Sequence, residues 1–214
     1  MKSLNNFSKT IAITSVIVLA LFLSPPVFAE DKISDLFEAS FGHEVQGNYK
    51  AALNNIIKLL RQDRKNYTAT LRAGWLYYSL GKYDQSIEYY QKAIELKAHA
   101  IEPVLGITLP YMAKSQWVDA ENYARKVLKK APANYYANSR IAWILYSQGR
   151  YSDALVYYKK VHDWYPSDLE MLLGLGYTYL KIGKKEDARK YFQAVLQIRQ
   201  NNLRALHGLN ALSN

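Results

Sequence analysis

The chain has 214 residues, 28 Lys plus Arg against 18 Asp plus Glu for a formal charge of +10, half apolar residues, 19 tyrosines and no cysteine. That composition can build a core, so the chain is neither a disordered nor a collagen-like polymer. The missing thiol excludes disulfides, thiolate metal sites, a cysteine nucleophile and a lipid-modified amino-terminal cysteine.

Residues 1–10 hold Lys2 and Lys9 without an acid, Ile11–Leu23 is an uncharged apolar run, and Pro25-Pro26 precede Val27-Phe28-Ala29. This three-part layout predicts a secretory signal peptide over residues 1–29, cut between Ala29 and Glu30. An apolar run of 13 residues is short of the roughly 20 that span a bilayer. An uncleaved anchor is therefore the weaker reading, and no membrane span is expected after cleavage. The remaining residues 30–214 read as one domain, still basic at 26 minus 18, or +8. With no basic block or recognised nucleic-acid motif, nucleic acid is not an expected partner. Export without cysteine suits a periplasm, with full secretion as the alternative.

A single period organises the chain beyond this leader. Gly47-Asn48-Tyr49, Gly81-Lys82-Tyr83, Ser115-Gln116-Trp117, Gly149-Arg150-Tyr151 and Gly183-Lys184-Lys185 begin 34 residues apart. Small residues recur three places after the aromatic position (Ala52, Ser86, Ala120, Ala154, Ala188) and seven before the turn (Ser40, Gly74, Thr108, Ala142, Gly176). Leu59, Ala93, Val127, Val161 and Val195 follow in the same register. A fixed period of this length marks stacked supersecondary units, each two amphipathic helices of about 13 residues joined at the turn. Small residues let the two helices interlock, and a turn glycine accepts the positive φ that ends the first. Ser115 departs from that pattern.

The pattern resembles the tetratricopeptide repeat family over units 33–66, 67–100, 101–134, 135–168 and 169–202. The resemblance rests on the five-fold period with the small residue, turn glycine, aromatic and alanine in place, as in Gly74, Gly81, Tyr83, Tyr90 and Ala93. It implies an all-α fold, an α-solenoid of five helix-turn-helix repeats wound as a right-handed superhelix. The early tryptophan sits five places late, at Trp75 and Trp143, and Arg64, Ala98 and Gln200 replace the closing proline. Residues 203–212 read as a capping helix, with Leu206 and Leu209 covering the last apolar face and Arg204 and Asn210 in water.

The resemblance places a partner in a concave groove lined by the first helices. The candidate groove residues are Phe41, Arg72, Trp75, Tyr78, Tyr136, Arg140, Trp143, Tyr146 and Tyr177. Arg72-x-x-Trp75-x-x-Tyr78-Ser79 returns 68 residues later as Arg140-x-x-Trp143-x-x-Tyr146-Ser147. Spacing by three sets Arg, Trp and Tyr along one helix face. Such a stripe either packs the superhelix or binds a ligand through aromatic area and a directional charge. Family members that clamp a carboxyl-terminal tail use lysines and asparagines in this stripe, and here those places are aromatic or aliphatic. In the third unit Pro110, with Gly106 before it, leaves two readings, a bend in the array or a helix that starts late.

No catalytic or metal constellation emerges. His43, His99, His162 and His207 stand in separate units, and His43-Glu44-Val45-Gln46-Gly47 has glycine where a zinc protease needs its second histidine. Gly81-Lys82 and Gly183-Lys184 lack the earlier glycine of a phosphate loop, which would fall at Leu76 and Thr178. Glu186-Asp187 and Asp163 belong to solvated helix faces. The expected role is a non-enzymatic periplasmic scaffold, without cofactor, that holds an extended protein segment. Alternatives are an accessory binding peptidoglycan or an exported polysaccharide on the aromatic stripe, or a self-assembling module. Salt-sensitive capture needing Arg72 and Arg140 marks the first; a need for Trp75 and Trp143 in polysaccharide binding marks the second.

Overall fold

A computed structural model describes residues 27–213, with side chains from residue 33. The expected leader's apolar run Ile11–Leu23 and Pro25-Pro26 lie outside the described residues. Twelve helices and no strand occur among them. They are α1 (Val27–Val45), α2 (Tyr49–Gln62), α3 (Tyr67–Ser79), α4 (Tyr83–Leu96), α5 (Glu102–Gly106), α6 (Thr108–Ala113) and α7 (Trp117–Lys130). The carboxyl-terminal half adds α8 (Tyr135–Ser147), α9 (Tyr151–Trp164), α10 (Leu169–Lys181), α11 (Lys185–Ile198) and α12 (Leu203–Ala211). None of the described helices is long and apolar enough to cross a membrane. Helix α1 starts six residues before the expected first unit and runs through the Ala29–Glu30 bond.

Five antiparallel hairpins stack in chain order, each packed on its own partner helix and on the next hairpin. The small positions make this possible. Ala52, Ser86, Ala120, Ala154 and Ala188 are fully buried, as are Ser40, Thr108 and Ala142 on the facing helices. The Ser86 hydroxyl donates to the Gly74 carbonyl across the second hairpin at 2.7 Å. The turns close by paired bonds, as where Lys82 N–H reaches Tyr77 O and Gly81 N–H reaches Tyr78 O, both at 2.9 Å. Gly81 has φ of 71°, and Ser115 takes the same left-handed conformation at φ 56°. The pairing that satisfies the last carbonyls needs that conformation whichever residue stands there.

Four first helices carry a side-chain cap. Asn66, Asn134, Asp168 and Asn202 accept from the backbone of the first turn at 2.9–3.1 Å. The equivalent residue of the third unit is Ala100. There the helix begins at Glu102, one residue behind its counterparts, and breaks at Ile107 into α5 and α6. Pro110 has no N–H to give the Gly106 carbonyl, so the helix is interrupted in mid-course, with only a one-residue delay at its start.

Helix α12 caps the array with Ala205, Gly208 and Leu212 buried and Leu209 packed against the core. Leu206, expected on the covered face, is 39% exposed. Helical rotation places it with Leu203, on the exposed side.

Candidate functional site

The groove is built from α1, α3, α5, α6, α8, α10 and α12, and its residues divide into two groups. The arginines are bound into the scaffold. Arg72 pairs with Glu44 on α1, with side chains 18% and 14% exposed, and its guanidinium lies 3.7 Å from the Phe41 ring centroid. Arg140 donates to the Leu105 carbonyl and, at 2.8 Å, to Thr108 Oγ1. It thereby stitches the break between α5 and α6. Burial lowers the pKa of both guanidinium groups from the ordinary value, and both stay charged.

The aromatic residues remain accessible. Trp75 and Trp143 are 36% and 48% exposed, and Tyr136 is 58% exposed. Phe41 is also open on the side away from Arg72. Trp75 meets Tyr49 edge-on at 5.6 Å, and Tyr78 leans on Tyr83 at 5.9 Å. Trp143 stacks on Tyr146 at 5.9 Å and an interplanar angle of 18°. Tyr177 stands edge-on to Phe192 at 5.0 Å and donates its hydroxyl to the Arg204 carbonyl at 2.7 Å.

Three of the nine candidates, Trp143, Tyr146 and Tyr177, come together around one cleft of about 500 Å³. Phe41, Arg72, Trp75 and Tyr78 belong to the amino-terminal half of the groove, outside this cleft, and Tyr136 and Arg140 also lie outside its lining. Leu173 stands on the same first-helix stripe as Tyr177, and sequence reasoning missed the rest of the wall. Ser139 stands beside the tryptophan; Met171 and Gly174 come from α10; Tyr158 rises from α9; and Glu170 and Arg204 stand at one side. The last two form a bidentate pair at 3.0 and 2.8 Å. Gly174 makes the cleft deep, because a Cβ there would collide with the Tyr158 ring.

A signal for these residues was present. Besides Arg-Trp-Tyr-Ser, the 68-residue echo includes Tyr90 and Tyr158, Glu102 and Glu170, Leu105 and Leu173, and Gly106 and Gly174. A search limited to first helices leaves out Tyr90 and Tyr158. Among the described residues no group of three His, Asp or Glu side chains is placed to hold a metal ion.

Comparison with known proteins agrees with this geometry. Tetratricopeptide repeat family matches cover residues 43–101, 111–162 and 145–212, which is most of the chain. Protein CTR9 homolog of Arabidopsis thaliana is 30% identical over 125 residues, 58% of this chain and 12% of that protein. TPR repeat-containing protein MJ1428 of Methanocaldococcus jannaschii is 25% identical over 209 residues, 89% of this chain and 35% of its own length. The chain thus spans a small part of the first relative and about a third of the second. Among solved structures, YrrB, described as a TPR protein with an unusual peptide-binding site, superposes with a TM-score of 0.68 at 17% identity, covering 85% of this chain and 97% of that one. At that identity the likeness establishes the fold.

Proposed function

This chain belongs to the tetratricopeptide repeat family, and from that premise we propose that it is a non-enzymatic, exported scaffold that holds an extended partner segment in its concave groove. The fold itself is a scaffold for protein–protein interaction. The observation that carries the finer reading is the division of labour in the groove: both arginines are spent on internal contacts while Trp75, Tyr136 and Trp143 stay open. Exposed aromatic rings offer large contact area at low conformational cost, which suits polypeptide recognition. The peptide-binding site ascribed to the structural neighbour YrrB supports the same occupant. Placement in the periplasm rests on the lysines, apolar run and double proline of residues 1–29.

Crosslinking in intact cells tests this reading, with a photoreactive residue at Trp75, at Trp143 and, as a control away from the groove, at Glu88. The expected result is a protein adduct from the two groove sites and none from Glu88; because Arg72 and Arg140 are engaged internally, the salt-sensitive capture expected of free arginines is replaced by capture that changes little as salt is raised. Adducts from all three sites alike, or from none, overturn it. Fractionation bears on location separately: recovery of a form beginning at Glu30 with periplasmic markers is expected, and recovery with cytoplasmic markers refutes export.

A further inference from the structure

The floor of the Trp143 cleft is a tyrosine whose hydroxyl has no partner. Tyr158 is 3% exposed, and its ring is clamped beneath Gly174. Yet it borders the cleft and forms no hydrogen bond within the described chain. The ring is buried, but the hydroxyl is open to the cleft rather than sealed from water, so an occupant that displaces water from it must replace that hydrogen bond. Burial, together with nearby Tyr146 and Glu170, raises its pKa, so it stands as a protonated donor.

Similar residue types recur 68 residues earlier. Tyr90 is also 3% exposed, its ring lies under Gly74 and Gly106, and it too forms no hydrogen bond within the described chain. Trp75 and Tyr78 hold the equivalent positions in sequence, but Trp75 packs edge-on to Tyr49 where Trp143 stacks on Tyr146, and Arg140 lies near Tyr90. The two places share residue types and differ in geometry, so the cleft at Trp143 is the one that forms this seat.

We propose that the groove takes an extended polypeptide that seats a tyrosine side chain against Trp143 with its hydroxyl on Tyr158. The inference rests on the peptide-groove reading above and specifies its occupant. An acidic or basic anchor is disfavoured, because Glu170 and Arg204 already neutralise each other at 2.8–3.0 Å and leave no free counter-charge. Phenylalanine fills the apolar space but strands the Tyr158 hydroxyl. Tyrosine supplies both the ring and the polar tip, and a site built to bond a hydroxyl discriminates strongly against the analogue lacking it.

The test pans phage-displayed random 12-residue peptides on the full chain and on its Trp143→Ala and Tyr158→Phe variants. Tyr158→Phe removes a hydroxyl that is open to the cleft and bonds no other part of the described chain, so its thermal midpoint is expected to stay close to that of the parent, which separates lost binding from lost fold. The expected result is enrichment of tyrosine, with a selected peptide losing about tenfold in affinity when its anchor tyrosine becomes phenylalanine, a discrimination that collapses on the Tyr158→Phe protein. Peptides that bind through Trp143 but carry no tyrosine, or whose discrimination survives Tyr158→Phe, overturn the inference and leave the groove reading standing. Failure to select any peptide, or selection of peptides indifferent to Trp143→Ala, overturns both.

Discussion

Residues sixteen apart exchange bulk between a second helix and the first helix of the next unit. Tyr90 meets Gly106, Tyr158 meets Gly174 and Phe192 meets Gly208, and in each case a Cβ on the glycine would strike the ring. After the third unit the sizes are reversed: Ala124 is small and fully buried, and Arg140 stands where these three pairs have glycine, as Arg72 does opposite Ile56. The Arg140 guanidinium fills that space and bonds Leu105 and Thr108. Ala124→Tyr alone is therefore expected to cost about 2–3 kcal/mol by overpacking, and Arg140→Gly alone about 2–4 kcal/mol through a cavity and an abandoned carbonyl. The double variant should recover at least about 1 kcal/mol of their sum, as read by urea unfolding in a double-mutant cycle. Strict additivity would show that the two sites do not share the space. Ser115 presents a simpler case. Its φ of 56° costs a residue with a Cβ about 1–2 kcal/mol, part of which glycine forfeits in the unfolded chain. Ser115→Gly should raise stability by about 0.5–1 kcal/mol, or about 1–4 °C in thermal midpoint. A lower midpoint would mean that the hydroxyl does more than the turn geometry indicates.

At the scale of the helix, side-chain caps fix where four first helices begin, and the third unit, which lacks one, begins a residue late. Asn134 accepts from Ala137 N–H at 2.9 Å, and its own backbone carbonyl begins the ladder by accepting from Asn138 N–H at 3.1 Å. Asn134→Ala should cost about 1 kcal/mol, measured by chemical denaturation, while a change at Ala100, which caps nothing, should cost far less. The hairpins were legible in sequence because small residues, turns and apolar positions repeat with one fixed period, and local rules suffice to turn that period into helices. Pro110 was legible as a disturbance, but its outcome depended on what would take up the freed backbone. The repair comes from Arg140, 35 residues beyond Leu105 on the next unit's helix. The groove shows the same limit. Arg72 and Arg140 share a motif and were candidates for the same role, yet one pairs with Glu44 across 28 residues and the other caps a broken helix. Partners at that separation follow from how hairpins stack, which a motif within one helix does not encode. Tyr158 escaped notice for a related reason: its backbone belongs to α9 while its ring passes under Gly174 of α10 to reach the groove.

Across the whole molecule the broken third unit also divides the core. One buried cluster joins the first two hairpins through Leu53, Ile56, Leu59 and Leu76, and a larger one runs from Ala124 through Tyr158 and Phe192 to Leu212. Between them lies a small cluster of Val104, Val127 and Ala137. In a solenoid each unit touches only its neighbours, so stability is a sum of unit and interface terms, and the weakest interface sets where cooperativity fails. That interface is the third unit, with short helices, no side-chain cap and little buried apolar volume. Backbone amides of α5 and α6 should therefore exchange with solvent fastest among the internal helices, ahead of those of α3 and α8, in native-state hydrogen exchange. Val127→Ala removes buried apolar contacts from the small cluster at the junction. It should cost about 1–3 kcal/mol and separate a single urea transition into two, the amino-terminal hairpins unfolding apart from the carboxyl-terminal ones. Uniform protection along the chain, with one sharp transition retained in Val127→Ala, would mean that the Arg140 bridge and the packing of α4 on α5 and α6 couple the halves more tightly than the buried volume between them suggests.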